Sequence, residues 1–531
     1  MAAATSTKRA RRISVGNAAM LLVGSALLSS GLGFLRTKLV NANFPATGPG
    51  STDAYFAAFN IPDLFFFTLA AGALGVAFMP VLAEHLQRGD KKGMWELSTS
   101  LLNLLMIVMF VVAVVILLFA TPLVHYVVAP KMTPEQTHLT ATIMRFLAFD
   151  PLLFTISGVL TAVQQTLGRF FFYALAPLFY NLCIIISIFV FKHNIGLEGI
   201  GIGALVGSVL QLAVVSIGLI GTNFHWTPKI LWRHSDFRLI LRQLPPRSLD
   251  QGIDQIESVV ETHFARGLGQ GFISYYNNAY ILATAPTLLI GTAISTAAFP
   301  QLNNRLAQGR PDLFRKDFLK IIRGMIWVAM PVTVISFFAR GYLARLIFAN
   351  DAPEIATIFG FLSVFIFFTT LYSIISRWFY SHKDTKTPLF VSVFTIALNI
   401  ILVYTWAQRT SYGVAGLALA QSFAAMAEVL VLTVIMLIRD PKLFDREFWS
   451  GVLKIISVTG FSVLAGMIMV SFFPLGINDR GFVTLGAKLS LIAGVTLAVH
   501  IGVSSLFGLE EVQPIWQRVK KIIFRPLKVE Y

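Results

Sequence analysis

The stretch Gly196-Leu-Glu-Gly-Ile-Gly-Ile-Gly203 recurs later in the chain as Gly413-Val-Ala-Gly-Leu-Ala-Leu-Ala420. A second pair of segments agrees with nearly the same offset, because one spacing of Pro, Leu, Leu and Gly occurs in residues 80–89 and again in residues 300–309. Both pairs lie in strongly apolar sequence. The pattern predicts a membrane protein made of two homologous halves, and such proteins commonly move a substrate at the interface between the halves. Chance similarity between Gly-rich helices is the alternative explanation.

The composition is that of an integral membrane protein. Of the 531 residues, 56% are hydrophobic and 13% are charged, and the mean hydropathy is +0.73, whereas a soluble domain carries about 25% charged residues. Cys183 is the only cysteine, which excludes a disulfide framework and a cysteine metal site. The net charge of +16 falls mostly between the apolar segments. We therefore expect anionic lipid headgroups, and no nucleic acid, among the partners.

Fourteen segments are long and apolar enough to cross a bilayer, which takes about 20 residues. They are residues 14–41, 54–83, 97–127, 138–164, 170–191, 198–221, 236–265, 271–301, 319–347, 355–380, 388–407, 412–437, 449–473 and 484–507. The fold class is therefore all-α, a polytopic membrane protein of about 14 transmembrane helices in two parallel-repeat lobes. We expect an N-lobe at 1–222 (spans one to six), a C-lobe at 223–440 (spans seven to twelve), and two extra spans with a basic cytoplasmic tail at 441–531.

The charges of the connecting loops indicate the orientation of the chain. Most clusters of Lys and Arg follow even-numbered spans, and by the positive-inside rule both termini are then cytoplasmic. The matched prolines, Pro80 and Pro300, close spans two and eight. An even separation means that both copies point the same way, so the repeat is parallel, with its pseudo-two-fold axis along the membrane normal.

Four segments carry a resemblance to a known family. They are Gly33-Phe-Leu-Arg36, the run from Thr52-Asp-Ala-Tyr to Ile-Pro62, Arg377-Trp-Phe-Tyr380, and Asp384-Thr-Lys-Thr-Pro388. With these motifs, the chain resembles the MurJ/MviN lipid II flippase family over roughly residues 14 to 507. The resemblance implies two lobes around a central cavity, alternating access, and a location in the cytoplasmic membrane of a bacterium. The implied substrate is lipid II, the undecaprenyl-pyrophosphate precursor of peptidoglycan, and the implied protein is a transporter and not an enzyme.

The resemblance also points to a substrate site. The family usually carries two arginines shortly after its Ile-Pro pair, and Phe66 and Phe67 occupy those positions here. Arg36 matches a cation of the family's cavity, and Arg suits a pyrophosphate because its fork makes paired charge-assisted bonds. The candidate substrate-binding residues are Arg36, Asp53, Phe66, Phe67 and Arg247. Arg36 could equally form an internal ion pair with Asp53 or with an acid of span seven.

Span seven carries an unusual row of acids. They are Asp250, Asp254, Glu257 and Glu261, whose spacing puts four carboxylates on one stripe of a helix. One interpretation is a coupling site for Na+ or protons, completed by Asn399 and Ser422. The other is an ion-pair network that latches the two lobes. We expect no metal centre and no organic cofactor.

Three functions are compatible with the chain. The first is a lipid-linked oligosaccharide flippase for lipid II, which the family motifs favour. The second is a cation-coupled exporter of another lipid-linked or small amphipathic substrate, and the third is a non-transporting membrane scaffold. A membrane enzyme is disfavoured because the loops are too short to hold a catalytic site. We expect the chain to act as a monomer.

The predicted topology can be tested with reporter fusions. Fusions at Gly50 and Asp351 should report an external location, and fusions at Gly89 and Gly309 a cytoplasmic one, because the positive loops stay inside. Opposite locations for Gly89 and Gly309 would exclude a parallel repeat.

Overall fold

The protein is described here by a computed structural model, which covers residues 15–71, 78–348, 351–408, 412–476 and 479–517, without the side chains of residues 15–20, 23, 71, 243, 245–251 and 408. Over these residues the chain is helical and forms no strand, which confirms the all-α class. The chain packs as two units, residues 1–259 and 260–531. The finer division at residues 222 and 440 stays a prediction, and the basic tail beyond residue 517 lies outside the described residues.

The helices follow one another with short connections. The first unit contains α1 (Val15–Asn43), α2 (Thr52–Phe66), α3 (Met79–Gln87), α4 (Lys91–Pro122), α5 (Pro134–Leu147), α6 (Asp150–Thr166), α7 (Phe171–Phe191), α8 (Glu198–Ile217) and most of α9 (Ser235–Leu268). The second unit contains α10 (Phe272–Thr287), α11 (Ala293–Ala307), α12 (Pro311–Phe338), α13 (Arg340–Ile347), α14 (Ala352–Ser381), α15 (Lys386–Leu402), α16 (Gly413–Arg439), α17 (Arg446–Phe472) and α18 (Phe482–Leu506).

Each predicted span coincides with one or two of these helices. Among the described residues, 11 helical segments are long and apolar enough to cross a membrane, which establishes a multi-pass membrane protein. The helices at predicted spans one, two and seven, namely α1, α2 and α9, are not among those 11. The count of fourteen spans therefore stays a prediction.

The repeat is visible in the turns that end α3 and α11. Gly89 and Gly309 adopt φ angles of 76° and 66°, a left-handed conformation that glycine adopts without steric cost. In both turns the following residue, Asp90 or Arg310, donates its N–H to the carbonyl oxygen five residues earlier, at 2.9 and 3.0 Å. The same helix ending thus closes the matched segment in each unit.

The repeat also includes a π-helical turn at the end of one helix in each unit. α2 continues into a π-helical turn at Phe67–Ala71, and α10 continues into one at Leu288–Thr292. A π turn leaves the regular hydrogen-bond ladder of the helix and is frequent at functional sites. The two units therefore carry a wide turn at corresponding positions of corresponding helices.

The Gly-rich stretch at residues 196–203 lets α7 and α8 approach closely. A Cβ atom on Gly203 would lie 2.1 Å from Ser187 Oγ, and one on Gly199 would lie 2.2 Å from Phe191 Cβ. In the second copy, a Cβ atom on Gly416 would lie 2.9 Å from the backbone of Ala407. Small residues at such crossings allow the backbones to pack in a bilayer, where helices gain little from hydrophobic burial.

A chain of buried polar contacts fixes the last two helices to α12. The Nε2 atom of His500 lies 3.1 Å from the carbonyl oxygen of Trp327, and Nδ1 lies 2.9 Å from Ser462 Oγ. Because a carbonyl group can only accept, Nε2 carries the proton and Nδ1 accepts from the serine. The indole of Trp327 donates to Ser504 Oγ at 2.8 Å. These contacts join α12, α17 and α18 within an apolar core.

We expect Ser462→Ala to destabilise the second unit by about 1–3 kcal/mol, because the substitution leaves a buried ring nitrogen of His500 without its partner. The matched control is Ser457→Ala on the same helix, since Ser457 is exposed and bonds only the carbonyl of Leu453 on its own helix. Thermal unfolding in detergent measures the difference. Equal melting temperatures for the two variants would show that the contact with His500 does not stabilise the packing.

Candidate functional site

The first unit gathers ionisable side chains from four helices in its interior. Arg36 of α1 interacts electrostatically with Tyr55 and Asp63, both on α2. It also interacts with Tyr180 on α7. Asp150, on α6, faces Asp63 and Tyr180. The cluster therefore contains one guanidinium group, two carboxylates and two phenols; we call these five residues the Arg36 cluster.

The two carboxylates of this cluster differ in their hydrogen bonds. Asp150 is 4% exposed, and it accepts from Ser208 Oγ at 2.8 Å and from the Tyr180 hydroxyl at 3.5 Å. Asp63 is half-buried and has no hydrogen bond to the described part of the protein. Asp150 is thus a carboxylate held by two hydroxyl donors, whereas Asp63 interacts with Arg36 through charge alone.

Two buried polar atoms of the Arg36 cluster have no hydrogen-bond partner among the described residues. They are the hydroxyl oxygen of Tyr55, whose residue is 3% exposed, and Nε of Arg36. A buried polar atom left without a partner costs about 1–3 kcal/mol. The described residues therefore do not satisfy every polar atom of the cluster, and a further polar group could form hydrogen bonds with these two atoms.

The local sequence explains why Asp150 lies in this place. The predicted span at 138–164 is two helices, because a two-residue turn at Ala148 and Phe149 separates α5 from α6. Asp150 is the first residue of α6 and Pro151 follows it, and proline suits the first turn of a helix, where its missing N–H is not needed. The positive end of the helix dipole then favours the carboxylate. A break inside the span thus places an acid in the interior of the unit.

The predicted aromatic residues connect to the Arg36 cluster through one intermediate ring. Phe66 packs edge-on against Phe154 with ring centroids 5.7 Å apart, and Phe154 packs edge-on against Tyr180 at 5.2 Å. Phe67 contacts Phe66 at 5.2 Å. The two phenylalanines that stand at family arginine positions therefore border the Arg36 cluster with an apolar wall.

The other predicted substrate residues have different surroundings. Asp53 is fully buried in the first turn of α2, where the helix dipole favours a carboxylate. The acid whose charge acts on Arg36 is Asp63. The side chain of Arg247 lies outside the described residues. Sequence reasoning missed Asp63 and Asp150, although both are ionisable residues inside predicted spans, which is a recognised signal of a functional site.

The acidic stripe lies on one continuous helix, α9, as its spacing predicts. Glu261 is 8% exposed and accepts a hydrogen bond from the Tyr276 hydroxyl at 2.6 Å. Asp254 is exposed and Glu257 is half-buried. The side chain of Asp250 lies outside the described residues. Within the second unit, the stripe therefore ties α9 to α10 at Glu261.

The two residues expected to complete an ion site are part of the packing of the second unit. Asn399 donates from Nδ2 to Gln421 Oε1 at 2.7 Å, and Ser422 donates to the carbonyl oxygen of Phe361 at 2.8 Å. Both are buried. The described residues contain no group of three or more His, Cys, Asp or Glu side chains placed to hold a metal ion. A site formed by these residues and the stripe stays a prediction.

The beginning of α9 is anchored by His85. Its Nδ1 lies 2.9 Å from an oxygen of Asp90, and its Nε2 lies 2.9 Å from an oxygen of Asp236 in the first turn of α9. Carboxylates only accept, so both ring nitrogens carry protons and the ring is an imidazolium. Burial disfavours this charge, but the hydrogen bonds to Asp236 and Asp90 outweigh it, so that the pKa of His85 is raised above its ordinary 6.5.

The His85 anchor should make the attachment of α9 pH-dependent. The folded state binds this proton more tightly than the unfolded state. The stabilisation is therefore complete below about pH 6.5 and is lost as the pH rises through the raised pKa. Thermal unfolding and amide hydrogen exchange of α3 over a pH series should show this loss in the unaltered protein. Asp236→Asn should be less stable at low pH, with a flatter pH profile.

The matched control is Asp312→Asn, which removes an exposed acid paired with Arg310 at the turn after α11, and it should keep the pH profile of the unaltered protein. If Asp236→Asn keeps that profile as well, another group is responsible for the pH dependence.

This fold is that of a class of membrane transporters. The structure is similar to a multidrug resistance MATE family transporter of the MOP superfamily in an inward-facing conformation, with a TM-score of 0.62 at 16% identity, covering 80% of this chain and 98% of that one. The similarity to lipid II flippase MurJ in an inward closed conformation is greater, with a TM-score of 0.75 at 21% identity, covering 92% and 98%. At these identities both likenesses concern the fold.

Sequence comparison narrows the class to a family. The family model for lipid II flippase MurJ matches residues 48–478. A probable lipid II flippase MurJ of Rhizobium tropici is 26% identical, with 94% of this chain and 96% of the relative covered. A lipid II flippase MurJ of Burkholderia cenocepacia is also 26% identical, with 78% and 82% covered. The chain belongs to the MurJ lipid II flippase family, which confirms the resemblance seen in its motifs.

Proposed function

We propose that this protein translocates lipid II across the cytoplasmic membrane of a bacterium by alternating access. The observation that carries the proposal is the family match over residues 48–478. Arg36, the retained family cation, supports it, because Arg36 lies in an interior cluster in which two polar atoms have no hydrogen-bond partner among the described residues. The chain covers more than nine tenths of the R. tropici relative, which bears the name of a probable lipid II flippase. Export of an unrelated substrate and a scaffold role are both less well supported.

Arg36 is the residue that would hold the pyrophosphate of the substrate. A guanidinium group offers several N–H donors in a fixed plane and binds phosphate oxygens in pairs. The unpartnered hydroxyl of Tyr55 can donate to the same anion. Phe66 and Phe67 provide apolar surface where other members of the family carry charge, so that the grip on the anion depends more strongly on Arg36.

The acidic stripe serves, in this proposal, first to hold α9 in place. The hydrogen bond between Glu261 and Tyr276 supports this structural role. Coupling of transport to a cation or proton remains part of the proposed mechanism, since alternating access needs a ligand that binds the two conformations unequally. Asn399 and Ser422 already bond to neighbouring helices, which makes them weaker candidates for an ion site.

The orientation and assembly of the protein follow from its charges. We propose that both termini are cytoplasmic and that the positively charged loops contact anionic headgroups of the inner leaflet. The chain has two internal repeats and so builds both halves of a transport pathway by itself. A monomer is therefore sufficient for the proposed function.

The role of Arg36 can be tested by complementation of a bacterium depleted of its own lipid II flippase. Arg36→Ala should abolish growth at normal expression, because the loss of a paired charge-assisted contact costs about 1.5–3 kcal/mol or more. Arg36→Lys should restore growth in part. The matched control is Arg377→Ala, since Arg377 stacks over Phe299 at 5.2 Å and should support growth.

Failure of the unaltered protein to complement would remove the proposed substrate. Complementation by Arg36→Ala at the level of the unaltered protein would remove Arg36 from the substrate site and leave the transport function standing.

A further inference from the structure

The Arg36 cluster contains more negative than positive charge. Asp63 interacts with Asp150 and with the one guanidinium group of the cluster, that of Arg36. Tyr55 and Tyr180 are the phenols that face these groups. Taking a charge out of water is expensive, so a cluster with an excess negative charge stabilises a compensating positive charge. When an anion takes over Arg36, none of the other four residues of the cluster carries a positive charge that could balance the two carboxylates.

The hydrogen bonds indicate which carboxylate takes up that charge. Asp150 already accepts from Ser208 and Tyr180, and donors of this kind favour the ionised form of an acid. Asp63 has no such donor among the described residues. It is also half-buried rather than fully buried, so that water can reach it. Asp63 is therefore the acid that protonates most readily when its interaction with Arg36 is lost.

Tyr55 supplies an independent indication of a ligand at this point. Its hydroxyl is buried without a partner among the described residues, and it interacts electrostatically with Arg36 and Asp63. A protonated Asp63 becomes a hydrogen-bond donor as well as an acceptor. Protonation therefore adds a donor to a cluster that holds an unsatisfied hydroxyl oxygen.

We infer that Asp63 binds one proton from solvent when the anionic headgroup of the substrate takes over Arg36, with Asp150 remaining ionised. In the absence of substrate, Arg36 balances Asp63. A pyrophosphate on Arg36 withdraws that positive charge, and the proton replaces it. By linkage, protonation of Asp63 strengthens binding of the anion by the same factor. This inference rests on the proposed flippase function for its role in transport, but the proton site itself can be measured without transport.

Infrared difference spectroscopy of the full-length protein in nanodiscs tests the proton site. Acidification should produce the carbonyl stretch of a protonated buried acid, and this band should be absent in Asp63→Asn. The band should persist in Glu257→Gln, the matched control. Glu257 is a half-buried acid of α9, and α9 contacts α2 through a hydrogen bond of 3.1 Å between Ser258 and Asn60. A band that persists in Asp63→Asn, or that disappears in Glu257→Gln, would overturn the assignment.

The same measurement separates a proton from a metal cation. The band should keep its pH dependence when sodium replaces potassium at constant ionic strength. A band that sodium removes at fixed pH would mean that the cluster binds a metal cation, which would overturn the proposal. Asp150→Asn should lower the pH at which the band appears, because it removes the second negative charge beside Asp63.

Calorimetry with undecaprenyl pyrophosphate tests the linkage to the substrate. Titrations in buffers of different ionisation enthalpy should show proton uptake on binding to the unaltered protein, with affinity falling up to about tenfold per pH unit as the pH rises. Asp63→Asn should bind without proton uptake and with little dependence on pH. Proton uptake that survives in Asp63→Asn would overturn the linkage. A lipid that fails to bind the unaltered protein would count against the flippase, whereas the infrared result would still decide the proton site.

Discussion

A charged side chain in the interior of a membrane protein needs a partner or water, and this constraint organises the interior of the first unit. Insertion of one such charge costs at least about 2.5–3.5 kcal/mol at the centre of a span. Arg36, Asp63 and Asp150 meet this cost jointly, because each lies within the electrostatic reach of another. The break between α5 and α6 belongs to the same solution, since it places Asp150 at the positive end of a helix.

The two units use one backbone plan for different chemistry. Both have a left-handed glycine after the helix of the matched segment, α3 or α11, and a π turn at the end of the preceding helix, α2 or α10. Yet the first unit holds Arg36, Asp63 and Asp150 together in its interior, whereas in the second unit a buried contact between helices such as that of Asn399 with Gln421 joins neutral amides. The repeat therefore determines the positions of the turns in both units, and the side chains determine which groups lie in the interior of each unit.

The sequence is sufficient to predict the features that depend on local pattern. Apolar length located the helices, and the repeated spacing of Pro, Leu, Leu and Gly located two corresponding segments, each of which the structure ends with a left-handed glycine. The pairing of Asp63 with Arg36 and Asp150 was not predictable in the same way. Those residues come from α1, α2 and α6, and periodicity within one segment does not reveal which helices face each other. The acidic stripe was predicted as a candidate site because the spacing of its four acids can be recognised within one helix.

The aromatic substitutions give the Arg36 cluster its particular electrostatics. In a site with several cations, an internal acid that neutralises one of them changes the affinity for a pyrophosphate only slightly. Here Phe66 and Phe67 occupy two family arginine positions, and Phe66 leads through Phe154 to the ring of Tyr180. Apolar rings also lower the local dielectric, which strengthens each remaining charge interaction. Competition between Asp63 and an anionic substrate for Arg36 is then direct. The replacement of two family arginines by Phe66 and Phe67 therefore has two effects. It removes two cations that could bind the pyrophosphate, and it makes binding of the pyrophosphate to Arg36 sensitive to a single proton on Asp63.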